Sequence, residues 1–169
     1  MSQVTIRPLT AIDRDAAVNV INVGARWYRD FLPPHELHDP EMTPAQWDDE
    51  ARRLSWHGGY LDRDLVGVMA LEWARDAALL RHAYILPEHQ HHGIGLRLVE
   101  HLEREARGKA AAGGLRRVIV GTYARNYKAR GALEKAGYRL SEDPAAILRA
   151  YYTIPEDRLR TSVTYEKSL

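Results

Sequence analysis

The chain is 169 residues long, which fits a single domain over residues 1–169 with room for a sizeable core. Lysine and arginine number 24 against 23 aspartates and glutamates; the net charge of +1 lacks the basic excess of a general nucleic-acid binder. Cysteine is absent, which excludes disulfides, thiolate metal sites, iron–sulfur clusters and cysteine nucleophiles.

No apolar run approaches the roughly 18 residues of a membrane helix. Residues 1–7 lack the apolar segment of a signal peptide. A cytoplasmic protein with no nucleic-acid or membrane partner is therefore expected. Val4, Thr5, Ile6 and Arg7 alternate as a short strand that Pro8 ends. Thr10 reads as a helix N-cap with Asp13 three residues on, and Ala17, Val20, Ile21 and Ala25 follow at helical spacing. Residues 30–39 carry Pro33, Pro34 and two histidines and read as a loop or broken helix. Thr43-Pro44-Ala45-Gln46 is a capping box that predicts a second helix over residues 44–54.

Gly58-Gly59 predicts a break, with hairpin strands near residues 60–61 and 65–73 turning at Asp62-Arg63-Asp64. Residues 78–86 are mostly apolar and suit a central strand. A glycine-containing loop, residues 89–95, then opens an amphipathic helix. Ile94, Leu98, Leu102 and Ala106 repeat every four residues until Gly113-Gly114 stops it. A strand over residues 117–123, a short helix over 126–136, a strand opening at 138–140 and a last strand over 161–166 complete the pattern. Strands and helices in this order describe an α/β (α+β) domain with a mixed sheet. There is no internal repeat or low-complexity tract.

The segment that carries chemistry is Ile85-Leu86-Pro87-Glu88-His89-Gln90-His91-His92-Gly93-Ile94-Gly95. A strand ends, proline turns the chain, and two glycines open a helix. Backbone N–H groups at a helix start carry partial positive charge, and glycine lets a phosphate approach them closely. The pattern suits a pyrophosphate cradle. It is not a dinucleotide fingerprint, because Leu98 stands where a third glycine belongs, and it is not a P-loop. A tight loop before an ordinary helix is the plain alternative.

Gln90-His91-His92-Gly93-Ile94-Gly95 resembles the Gln/Arg-x-x-Gly-x-Gly/Ala signature of the GNAT superfamily of acyl-CoA-dependent N-acetyltransferases. Asn126-Tyr127-Lys128-Ala129 and Leu133-Glu134-Lys135-Ala136-Gly137-Tyr138 are similar to that family's downstream motif. The resemblance implies a mostly antiparallel sheet of six to seven strands with about four helices, splayed between the fourth and fifth strands. It implies acetyl-CoA as donor. Ile85 and Leu86 would offer backbone groups to the pantetheine arm. Gln90, His91, His92, Gly93, Ile94 and Gly95 would form the pyrophosphate loop, and Asn126 and Ala129 would border the pantetheine. A bulge in the fourth strand would aim the Ile85 N–H at the oxyanion.

The implied reaction is direct attack of an amine on the thioester. Glu72, His82 and Tyr84 are the candidate bases, with a water chain as the alternative. The family's tyrosine acid aligns with Leu133, which donates nothing, so Tyr123 or Tyr127 replaces it or the thiolate leaves unassisted. Tyr28, His35 and Glu36, in the segment between the first two helices, are candidates for binding the acceptor. His35-Glu36-Leu37-His38 is not a zinc motif, and His89, His91 and His92 read as loop histidines, so no metal is expected. The acceptor is a primary amine of a small molecule or peptide. A non-catalytic acyl-CoA-sensing domain and a protein N-terminal or lysine acetyltransferase are the alternatives, and the last strand could pair across a homodimer.

Overall fold

In this computed structural model the structure describes residues 3–169; Met1 and Ser2, the head of the opening segment, lie outside them. Seven strands form one sheet in the order β1-β2-β3-β4-β5-β7-β6. They are β1 Val4–Pro8, β2 Ser55–Leu61, β3 Asp64–Ala74, β4 Ala77–Ile85, β5 Arg117–Tyr123, β6 Arg139–Leu140 and β7 Ser162–Ser168. The helices are α1 Arg14–Gly24, α2 Pro44–Glu50, α3 Ile94–Ala110, α4 Tyr127–Lys135 and α5 Pro144–Tyr151. The β4–β5 pair is parallel and the other pairs with a defined register are antiparallel. The β4–β5 register runs from Ala77↔Arg117 to Leu80↔Val120, whereas β4 itself continues to Ile85. The pairing thus ends where the resemblance implied that the two strands part.

The chain divides into two compact units. One holds the chain up to Glu72 together with Arg81–Leu102, and the other holds Trp73–Leu80 with Glu103–Leu169. In the first unit, Ala17, Val20 and Ile21 of α1 and Trp47 of α2 bury against Trp56, Val68, Ala70 and Tyr84 of the strands. The first helix starts as a single 3-10 turn, Ala11–Asp13, before α1. Thr10 N donates to Asp13 Oδ2 at 2.9 Å there, so the cap serves the turn. The helix 44–54 ends early, at Glu50, and residues 51–53 form a turn.

Gly58 and Gly59 do not break the chain; they lie inside β2. A Cβ at Gly58 would stand 2.6 Å from Leu65 Cδ1, and one at Gly59 would stand 2.9 Å from Ile94 Cγ2. The same holds at Gly67 of β3, where a Cβ would meet Ile85 Cδ1 at 2.6 Å. Glycine is needed here for close packing, of α3 at Gly59 and Gly67 and of Leu9 and Leu65 at Gly58, not for a turn.

In the second unit, Ala77, Leu79 and Ile119 form a small core beneath Ile147, Tyr151 and Tyr152. The fully buried Tyr165 donates its hydroxyl to Glu134 at 2.9 Å and accepts from Arg130 Nε at 3.0 Å, which ties α4 to β7. β7 lies inside the sheet between β5 and β6. Helix α5 has no counterpart in the sequence reading, although Asp143 caps it through Ala146 N at 3.1 Å and Pro144 starts it. No helix among the described residues is long and apolar enough to cross a membrane.

Candidate active site

Of the candidate residues of the first unit, His82 and Tyr84 lie on β4, the residues from Gln90 to Gly95 lie in and just after the loop that follows it, and Glu72 lies on β3. His82, inside β4, has a φ of 53°, a left-handed conformation that a side chain other than glycine rarely adopts. The strand is therefore irregular at one of the candidate bases. Beyond β4, Pro87–His89 forms a 3-10 turn. His91 and Gly93 then take φ values of 66° and 76° before α3 begins at Ile94. Arg97 N donates to Gly93 O at 3.1 Å, the first bond of the α3 ladder. The N–H groups of Ile94, Gly95 and Leu96 precede that bond and have no place in the ladder. No atom lies within 4 Å of where a Cβ on Gly93 would stand, so the loop is open there. This opening, at the positive end of a 17-residue helix, fits a phosphate.

The neighbouring backbone narrows the expected donor contacts. Leu86 N donates to Val66 O at 2.9 Å, and Leu86 O accepts from His89 N at 2.9 Å. The N–H of Leu86 is thus engaged within the protein, while its carbonyl oxygen, with one bond accepted, keeps a second lone pair. Gln90 Nε2 turns back toward Ile85 O at 3.5 Å. His91 and His92 are exposed.

The three candidate bases differ sharply in environment. Glu72 Oε1 accepts from Arg53 Nη1 and Oε2 from Arg81 Nη1, each at 2.8 Å. Tyr84 is buried, and its hydroxyl accepts from that of Tyr28 at 3.2 Å. The two rings meet edge to face, and Tyr28 meets Phe31 likewise. His82 stacks on Trp56, with ring centroids 5.5 Å apart and planes 20° apart, and Trp56 stacks in turn on Trp47. His82 Nε2 lies 3.7 Å from Glu50 Oε2. Glu50 and Trp56 were not among the sequence candidates. The capping box that starts α2 would have placed Glu50 on that helix, but nothing in the sequence shows which strand it faces.

Contact with His82, first, and the positive charges of Arg53 and Arg81 hold the Glu50 carboxyl down to about 2, against an ordinary 4.5. A depressed carboxylate stabilises the fold above its unfolded-state value, and the stabilisation is lost as pH falls through the folded one. Glu50→Gln should therefore flatten the loss of Tm between about pH 4.5 and 2 relative to wild type. Parallel Tm curves over that window would contradict the assignment.

Of the acceptor-segment candidates, Tyr28 is half-buried, Glu36 is partly exposed and His35 is exposed in the 3-10 turn Pro34–Glu36. His57 and His101 of the same unit, also outside the sequence candidates, have ring centroids 5.1 Å apart. In the second unit, Asn126 is the N-cap of α4 and accepts from Ala129 N at 3.3 Å. Arg158 lies over the Tyr123 ring at 5.9 Å. Tyr127 is 72% exposed, whereas Leu133 is buried.

The sequence model of the acetyltransferase (GNAT) family matches residues 24–138, more than half of the chain. Among solved structures, the chain is similar to the PaiA N-acetyltransferase of Thermoplasma acidophilum in complex with coenzyme A. The TM-score is 0.79 at 17% identity, over 99% of each chain. It is also similar to an acetyltransferase of Streptococcus agalactiae, with a TM-score of 0.72 at 18% identity over 98% of each chain. A third is the ribosomal-protein-S18-alanine N-acetyltransferase of Escherichia coli, with a TM-score of 0.69 at 16% identity, over 98% of this chain and 94% of that one. At these identities the structures speak for the fold. No curated protein sequence matches.

Proposed function

The chain belongs to the acetyltransferase (GNAT) family and is an acyltransferase, and from that premise we propose that it moves an acetyl group from acetyl-CoA to a primary amine of a small molecule or peptide. The observation that carries this reading is the open, glycine-bearing start of α3 directly after an irregular β4. The loop from His91 to Gly95 holds the pyrophosphate through backbone N–H groups. The Ile85 N–H is the donor for the oxyanion.

The acceptor nitrogen attacks the thioester carbon, forming the C–N bond; the C–S bond then breaks and the thiolate leaves. The proton lost by the nitrogen goes to His82. Glu72 is the weaker candidate because two arginines bind its oxygens, and Tyr84 is weaker because its hydroxyl is buried against Tyr28. Residues 25–42, with Tyr28, His35 and Glu36, wall the acceptor site.

No side-chain acid serves the thiolate, since a thiol near pKa 8.5 leaves readily as its anion. Tyr123→Phe and Tyr127→Phe should each keep kcat within about threefold of wild type, because a general acid contributes about 10²–10⁴-fold. A loss of that larger size in either variant, with acetyl-CoA affinity unchanged, would identify that tyrosine as the acid.

The reading as a whole is tested by thiol release from acetyl-CoA with benzylamine, a linear diamine, a glycine-terminated tripeptide and a lysine-containing tripeptide. Amine-dependent release with formation of the N-acetyl product supports it, and the preferred amine separates small-molecule from protein-type acceptors. Release at the same rate with and without every amine would overturn it.

A further inference from the structure

The Glu50–His82 contact has a specific shape. Glu50 is the last residue of α2, and His82 sits at the left-handed position of β4. The imidazole plane is fixed by the stack on Trp56 of β2. His82 Nε2 is closed off from solvent and has no hydrogen bond within 3.5 Å. Its nearest ionic partner is Glu50 Oε2, at 3.7 Å. The side chain as a whole is nonetheless 23% exposed, and Nε2 is not among its accessible atoms. The carboxylate is itself held: Arg53 Nη2 donates to Glu50 Oε2 at 2.7 Å. Arg53 also binds Glu72 of β3, and Glu72 binds Arg81 of β4. The charged groups around His82 therefore alternate in sign, with Glu50 the carboxylate that faces the ring.

We propose that Glu50 is a positioning residue for the transfer reaction, its carboxylate facing the Nε2 edge of His82 at ion-pair distance and favouring the proton there, so that Nδ1 is the nitrogen that takes the proton from the acceptor amine. The inference rests on the reading of His82 as the base. In the step, the N–H bond of the attacking amine breaks and an Nδ1–H bond forms. The imidazolium that results has both nitrogens protonated, and its charge is met by the Glu50 carboxylate. A histidine oriented by a second group through its other nitrogen is a recurring arrangement for proton transfer. Here helix α2 supplies that group.

Kinetics with acetyl-CoA and the fastest amine of the panel test the proposal, with folding checked by Tm. His82→Ala should lower kcat about 10²–10⁴-fold. Glu50→Gln should lower kcat about 10- to 100-fold with both KM values little changed, as expected for lost positioning. Glu50→Asp should recover part of the loss. In a His82→Ala background, Glu50→Gln should have no further effect, since Glu50 acts through the ring. A normal kcat in Glu50→Gln, or independent losses that multiply in the double variant, would overturn the proposal while leaving His82 as the base. A normal kcat in His82→Ala would instead remove the base assignment, and the role of Glu50 with it.

A second readout needs no acceptor. The imidazole nitrogen NMR shifts of His82 should place the proton of the neutral ring on Nε2 in the wild type and show a changed tautomer balance in Glu50→Gln. A proton on Nδ1 in the wild type, or the same balance in Glu50→Gln, would also overturn the proposal.

Discussion

Gly93→Asp should abolish the rise in Tm that acetyl-CoA gives the wild-type protein. A ligand that binds only the folded state stabilises it by about 2.7 kcal/mol at a hundredfold excess over Kd. For a chain of this length that corresponds to about 5–10 °C. Gly93 has a φ of 76° and open space where a side chain would stand, so the variant can fold at the cost of a strained residue. The new carboxylate would stand before the first turn of α3, where the N–H groups of Ile94, Gly95 and Leu96 precede the first bond of the helical ladder. It would satisfy those groups itself and repel the pyrophosphate, and the two effects act in the same direction. An increase in Kd of about a hundredfold or more is expected.

Gly93→Asn separates charge from backbone strain. Asparagine is the same size and tolerates the left-handed region better than most residues, so it should keep a clear part of the acetyl-CoA shift. Equal shifts in wild type and Gly93→Asp would remove the pyrophosphate from this loop. Loss of the shift in both variants would mean that the loop backbone, rather than the charge, decides binding.

The loop was legible in the sequence because all of its information is local. Proline after a strand, two glycines and a following helical period sit within a dozen residues, and each constrains its neighbours directly. The cap of α2, the turn at Asp62 and Arg63, and the stop at Gly137 were legible for the same reason. Gly58 and Gly59 misled because glycine has two uses, conformational freedom and close approach. Only the packing of Ile94 and Leu65 shows that the second applies in β2. Helix α5 was not read because it has only eight residues, too few to establish a period, although Asp143 and Pro144 signalled its start.

Glu50 and Trp56 were missed for a different reason. Glu50, Trp56 and His82 lie on α2, β2 and β4, and their meeting follows from sheet order and helix placement. His82 could be picked out as a titratable group on an apolar strand. Its partner and its supporting plane could not, because neither lies near it in sequence. Conversely, Glu72 looked available as a strand carboxylate, and only the tertiary structure brings Arg53 and Arg81 to it.

Trp56→Ala should then carry the largest cost in stability. Trp56 is 3% exposed on β2, stacked between Trp47 of α2 and His82 of β4, within the cluster that also buries Ile21 and Val68. Removing a buried tryptophan side chain costs about 3–5 kcal/mol, because the lost apolar burial is joined by a cavity that the strands can only partly close. At about 2–4 °C per kcal/mol for a chain of this size, Tm should fall by about 6–20 °C. Trp47→Ala should cost a similar amount, since Trp47 is equally buried. The two variants should differ in catalysis. Below the lowered Tm, Trp56→Ala frees the His82 ring from its plane and should reduce kcat, whereas Trp47→Ala leaves the Trp56–His82 stack in place and should reduce it less. Trp56→Phe restores an aromatic face and should recover more of kcat than of Tm, because a smaller ring still supports the imidazole but fills less of the space. If Trp56→Ala lowered Tm as expected yet kept a wild-type kcat, the stack would be a feature of the core alone, and the orientation of His82 would have to come from Glu50 and the β4 backbone.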